Sequence, residues 1–478
     1  MSTPDEFMGS GASEAAPDLC AHDQLKGKCV RPGCPDGVGT APAAEKVSAL
    51  ILPNEFWEAR KILGLIRQAA HARMCSADAV LLALLARVSG MVPPEARADA
   101  GLGQASLNLF AALAGQPGTG KSVSHRAAQD LLPAPVRLGD WWPDGAPLGS
   151  GEGLAELFMG TEKRPTGETN KDGTPKMSAQ HVQVRHNACV YADEGDALAK
   201  MLERSGATVG ETLRRAAMGE TLGQSNGSRD TTRIVKRGSY SLGLVIGFQP
   251  DTALPLLNDA AAGTPQRFLW VWASDPNIPE EPVVCPGPLD IAFDGTLDRY
   301  GPVTFPDSVK AELRAERLAV HRGVATVASL DAHGQLSRIK IATLLARLDG
   351  RFEATSEEDW ELAGMVWQTS CAVRDHLLAL GRMRAKEQRM ERLEQHGERE
   401  VYVAARKAQA DTERVARVIH RAVYRSGGKR LSRAAARRAV QGKDRASYGD
   451  AVEHAVERGW LAADGDQHLA LGHAAVPS

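Results

Sequence analysis

Gly115-Gln116-Pro117-Gly118-Thr119-Gly120-Lys121-Ser122 is a complete G-x-x-x-x-G-K-[ST] phosphate loop. Each part answers a chemical need. Gly115, Gly118 and Gly120 let the backbone curl until its N–H groups face a polyphosphate. Lys121 reaches the β- and γ-phosphates, and the Ser122 hydroxyl ligates Mg²⁺. Residues 106–114 (SLNLFAALA) are a short apolar run that predicts a buried parallel strand. Residues 122–132 (SVSHRAAQDLL) have helical spacing and aim a positive dipole end at the phosphates. A glycine-rich turn arising by chance has no such flanks. The chain is expected to bind a nucleotide, with ATP and Mg²⁺ as its cofactors.

About seventy residues on, Ala188-Cys189-Val190-Tyr191-Ala192 leads into Asp193-Glu194, an apolar strand ending in two acids of the kind called Walker B. Asp193 would hold the Mg²⁺ shell. Glu194 would orient and deprotonate the attacking water, or else serve only as a helix-capping carboxylate. Residues 241–248 (SLGLVIGF) predict a further buried strand, after which Gln249 is placed to sense the γ-phosphate or hold the water. Arg267 precedes the strand at 269–272; an arginine displayed there suits a finger reaching a neighbouring subunit's γ-phosphate, the alternative being an ordinary ion pair. Residues 161–180 are polar and read as a surface hairpin or loop. Residues 219–235 carry Asn226-Gly227, a hairpin signal, with Arg229, Arg233, Lys236 and Arg237 on or beside it. That cluster is either a DNA-touching element or a sheet edge guarded by charge.

At 478 residues the chain has room for two or three domains, and its formal net charge of −2 gives no global pull toward nucleic acid or membrane. No apolar run is long enough to span a bilayer, and seven scattered cysteines do not form a disulfide framework, so a cytoplasmic protein is expected. The expected order begins with a disordered tail (1–45). In it Cys20, His22, Cys29 and Cys34 have a spacing that suits zinc, unless they are simply reduced thiols. A helical collar (46–100) and the ATPase core (101–275) follow. Next come a linker with a helical lid (276–382), on which Arg338 and Lys340 read as a solvated face with nucleotide contact as the alternative, and a charged spacer helix (383–412). The last part (413–478) reads as three helices and a two-stranded wing. Its basic run, including Arg433, Arg437 and Arg438, suits DNA phosphates, the alternative being a protein-binding module.

Together the collar with Phe56-Trp57 and the segments SLNLFAALAGQPGTGKS, ACVYADEGD, LGLVIGFQP and GTPQRFLW resemble the replicative-helicase-like P-loop ATPases of phages, plasmids and integrated elements. The resemblance spans about residues 56–379. It implies an α/β P-loop NTPase core of the AAA+/RecA-like class with helical collar and lid, plus a C-terminal winged helix. It further implies a homo-oligomeric ring, a hexamer, that unwinds or translocates on DNA. Lys121 and Ser122 would bind phosphate and Mg²⁺, Asp193 and Glu194 drive hydrolysis, Gln249 sense, and Arg267 act in trans. The primase–polymerase module often fused ahead of such ATPases has no counterpart here, so a separate primase is the expected partner. Two rivals stand beside this reading: an origin-binding initiator with a slow ATPase switch, and an ATP-driven remodeller of proteins.

Overall fold

The computed structural model describes residues 49–203, 208–224, 233–259, 262–291, 301–427 and 430–476. They fall into two compact units, divided between Gly381 and Arg382.

The first unit begins with helices α1 (Asn54–Glu58), α2 (Lys61–His71) and α3 (Ala77–Met91). Strands β1 (Arg97–Asp99) and β2 (Gln104–Ser106) precede the phosphate-loop pair, β3 (Leu109–Ala114) and α4 (Lys121–Leu131). Next come β4 (Asp144–Ala146), α5 (Gly151–Glu156) and a hairpin of β5 (Met159–Thr169) and β6 (Pro175–Gln183). Strand β7 (Asn187–Ala192) is followed by α6 (Gly195–Glu203) and α7 (Val209–Met218). A second hairpin, β8 (Leu222–Gln224) with β9 (Arg233–Val235), leads to β10 (Ser241–Phe248), α8 (Pro250–Asn258) and β11 (Phe268–Trp272). Strand β12 (Pro302–Thr304) and helices α9 (Asp307–His321), α10 (Gly334–Leu348) and α11 (Glu357–Arg425) complete the unit, α11 running on past its end.

Five strands form one sheet in the order β11-β3-β10-β7-β4. Every pairing in it is parallel. Such strands are covered on both faces, which is why β3, β10 and β11 are apolar runs rather than alternating ones. Ala111, Leu113, Val245 and Val271 face one layer, with α2, α3, α4 and α10. Phe110, Ala112, Ile246 and Trp270 face the other, with α5, α7 and α8.

Helix α3 lies in the segment read as a helical collar (46–100). All fifteen of its residues are buried. A helix apolar all round has no face to offer water, so it packs into the core instead of standing ahead of it. Two glycines admit it: a Cβ on Gly243 of β10 would lie 1.9 Å from the Ala86 carbonyl, and one on Gly90 would lie 2.5 Å from the Ala188 carbonyl. The lid segment is likewise woven into the unit. β12 pairs in parallel with β1, and α10 buries eleven of its residues.

In the second unit α11 ends, and β13 (Leu431–Ser432), α12 (Arg433–Ala439), α13 (Tyr448–Glu457), β14 (Leu461–Asp464) and β15 (His468–Leu471) follow. An antiparallel sheet, β13-β15-β14, closes a core of Val415, Ile419, Ala436, Val452, Trp460 and Leu469. Residues 385–410 of α11 are exposed throughout. No helix among the described residues is long and apolar enough to cross a membrane.

Candidate nucleotide site

Beyond β3 the backbone passes through Gly118 (φ 82°) and Gly120 (φ 80°), both in the left-handed region that only glycine enters freely. A Cβ on Gly120 would also come within 3.2 Å of the Cys75 Cβ. Gln116 and Pro117 are exposed at the tip, and the Thr119 hydroxyl ties the curl by donating to the Gln116 carbonyl at 2.9 Å. Helix α4 then starts at Lys121, leaving its first amides without intrahelical partners, as an anion site requires. Lys121 Nζ donates to the carbonyls of Gly115 (2.9 Å) and Gln116 (3.0 Å). Burial lowers its pKa from the ordinary lysine value, and the nearby Asp193 works against that shift.

The strand order decides which side chains meet this loop. β10 lies between β3 and β7, so the ends of three neighbouring strands share one edge. Asp193 and Glu194 follow β7, and both are exposed there. The Tyr191 hydroxyl donates to Asp193 Oδ1 at 2.6 Å. Gln249 follows β10; its backbone is fixed to Thr252 Oγ1 at 3.0 Å, while the residue stays exposed. Lys121, Ser122, Asp193, Glu194, Gln249 and Thr252 line one cavity of about 420 Å³. The residues expected to bind phosphate, hold the cation, activate water and sense are thereby brought together.

The donor set fits Mg²⁺, since the Ser122 hydroxyl and the Asp193 carboxylate are hard oxygen ligands opening on the same cavity. Among the described residues no group of three or more His, Cys, Asp or Glu side chains could hold a metal. The cation would therefore complete its shell with phosphate and water. Bound MgATP would supply the scissile phosphoanhydride. Against it Lys121 would balance negative charge, Asp193 would hold the cation and the exposed Glu194 would be placed to take a proton from water.

Arg267 is not in this cavity. It precedes β11, and Phe268 pairs with Phe110 near the start of β3. From that register it lies about five residues, roughly 16 Å along the strands, from the loop. Its guanidinium donates to the Gly263 carbonyl. Burial lowers its pKa, with the Arg214 charge acting in the same direction.

Both hairpins enter the sheet from Arg267's edge, ahead of β7 and β10, and they are joined. Glu156 of α5 bridges them, lying 3.3 Å from His181 Nε2 of β6 and pairing with Arg233 of β9. Of the expected hairpin cations, Arg233 is thus engaged internally, Arg237 lies 3.6 Å from Glu220, Lys236 is exposed, and Arg229 lies outside the described residues. So do Cys20, His22, Cys29 and Cys34. In the second unit Arg437 and Arg438 are exposed on α12, and Arg433 is half-buried.

The sequence reading places Lys340 on a solvated face and does not single out His125. Lys340 is buried rather than solvated: its Nζ donates to the carbonyls of Asn108 (2.8 Å) and Ala217 (2.6 Å), at the edge far from the phosphate loop. Burial first, and then the Arg267 charge, lower its pKa to about 7. Arg338, on the same helix, lies over the Trp360 ring at 3.8 Å. His125 is buried on α4 and stacks on Tyr191. Its signal was the four-residue step from Lys121, which puts the two on one helix face.

No family model matches the chain, and none of the curated proteins does. A solved structure with a similar backbone is a full-length MCM homolog from Methanopyrus kandleri, with a TM-score of 0.36 and 13% identity. The match covers 70% of this chain and 63% of that one.

Proposed function

We propose that the chain is an ATP hydrolase of the AAA+/RecA-like class that assembles into a ring and unwinds or translocates on DNA. The observation that carries the hydrolase reading is the single cavity shared by Lys121, Ser122, Asp193, Glu194 and Gln249. An interposed strand sets the sensing glutamine between the lysine that grips phosphate and the acid that activates water. Ring assembly is supported by Arg267. It lies too far along the sheet to serve its own subunit's nucleotide, and a neighbour's site is where such a residue would act.

DNA is the proposed track. The exposed Lys236 beside the second hairpin and the exposed Arg437 and Arg438 favour it. The second unit reads as a winged helix, since its strand order β13-β15-β14 closes a small helical core. In its finer form the proposal is a hexameric replication helicase of a mobile element, working with a separate primase. An initiator that reads one duplex sequence is less well supported. The helix it would insert, α13, exposes Asp450, Glu453 and Glu457, which repel phosphate and offer no base-reading cation.

The test is turnover with and without single-stranded DNA, beside unwinding of a forked duplex. We expect DNA to stimulate hydrolysis, and Glu194→Gln to keep ATP binding while losing roughly 10²-fold or more in rate. Full hydrolysis by Glu194→Gln would sink the catalytic assignment. ATPase activity indifferent to DNA would favour a protein remodeller, and a sequence-specific footprint without unwinding would favour the initiator.

A further inference from the structure

Helix α4 and the end of β7 face each other in two rungs. Lys121 and His125 are four residues apart on one helix face, and Asp193, just past the end of β7, is on the same side as Tyr191, to whose hydroxyl it is bonded. In the outer rung, Lys121 and Asp193 line the nucleotide cavity. In the inner rung, the imidazole of His125 lies flat on the phenol of Tyr191, with centroids 3.9 Å apart and planes 1° from parallel. The rungs are tied by the hydrogen bond from the Tyr191 hydroxyl to Asp193 Oδ1 at 2.6 Å.

Given the ATPase reading, on which this inference rests, we infer that Tyr191, held flat by His125, is a positioning residue that fixes the Asp193 carboxylate for the cation. A carboxylate at the end of a strand is free to turn about its side-chain torsions. The phenol takes one oxygen, Oδ1, which settles the plane of the group and leaves Oδ2 for the shell of the ion beside Ser122. Tyr191 cannot easily swing away: its partner in the register is Val245 of the buried strand β10, and His125 covers its ring. Burial, the largest cause, lowers the His125 pKa to about 4, so the stacked ring is uncharged at neutral pH and adds no repulsion toward the ion.

Neither residue touches phosphate, so both should act on the metal requirement and leave nucleotide grip alone. Outer partners of this kind are worth about 10- to 100-fold in metal affinity. The test titrates Mg²⁺ into the full-length protein and follows a fluorescent ATP analogue, with Mn²⁺ binding measured in parallel by electron paramagnetic resonance. For Tyr191→Phe we expect unchanged analogue affinity without metal, a metal midpoint raised by about 10- to 100-fold, and normal turnover at saturating Mg²⁺. His125→Ala should move the midpoint in the same direction, and His125→Phe, which keeps a flat ring, should restore it. The inference falls if the Tyr191→Phe titration overlays the parent's. It falls equally if metal-free affinity drops as much as metal-dependent affinity, because the pair would then only pack. A parent protein that binds no nucleotide at all would overturn the ATPase reading and this inference with it.

Discussion

Arg267 and Lys121 stand at opposite ends of two neighbouring strands of one parallel sheet, the arginine at the start of β11 and the lysine after the end of β3. In the proposed ring, the arginine of one subunit would complete the phosphate grip of the next, a head-to-tail arrangement. Lys121→Ala and Arg267→Ala should each abolish turnover. Mixed in equal amounts and allowed to exchange subunits, they should regain activity at about a quarter of the interfaces, those pairing an intact lysine with an intact arginine. The check is a turnover assay on the mixture. A mixture as dead as its components would rule out action in trans, and normal turnover by Arg267→Ala alone would remove its role altogether.

Arg437 and Arg438 differ from Arg414, Arg417 and Arg430 in what surrounds them. Arg414 is held by Asp444 at 2.8 Å, Arg417 by Glu413 at 2.7 Å, and Arg430 pairs with Asp464. Arg437 and Arg438 are exposed on α12. If this unit grips phosphate, changing both to Ala should weaken binding to all sequences alike and reduce the slope of log affinity against log salt by about two. Arg414→Ala should leave that slope almost unchanged. Fluorescence anisotropy across a salt series reads both, and an unaltered slope in the double variant would take DNA away from this surface.

Much of the site was legible because its chemistry is local. The glycine spacing dictates the loop curl, and an apolar run ending in Asp-Glu dictates where the acids emerge. What could not be read was which helix faces look inward. Residues 334–348 carry Arg338, Lys340 and Arg347 among apolar neighbours, and periodicity alone suggests a solvated stripe. In the fold Lys340 joins two carbonyl ends at Asn108 and Ala217, and Arg347 is fully buried with no hydrogen-bond partner on its guanidinium among the described residues. Both placements depend on α10 packing against α3, a long-range contact that no local pattern announces. Helix α3 is the opposite case: its residues are apolar all round, and that missing polar face is what sets it inside the core.

Asp78 gives the sharpest test of that buried helix. It lies in the first turn of α3, is 2% exposed, and accepts a hydrogen bond from the Leu52 amide at 2.8 Å. Burial is the main cause lifting its pKa to about 8; the Leu52 bond pulls the other way, and Asp275 adds to the rise. The folded state thus holds a proton that the unfolded chain, with an ordinary carboxyl near 3.8, gives up. Between those two values the native state binds more protons, so stability falls as pH rises. The contribution is complete below about pH 4, lost progressively toward pH 8, and flat beyond. Each tenfold difference in proton affinity between the two states is worth about 1.4 kcal/mol. Asp78→Asn keeps the shape and the acceptor for Leu52 without the charge. The variant should melt closest to the parent near pH 4 and above it at pH 8.5, the gap widening up to about pH 8. Parallel melting curves for the two proteins across that range would mean that Asp78 is ionised in the fold, with a cation or water at α3 that compensates it.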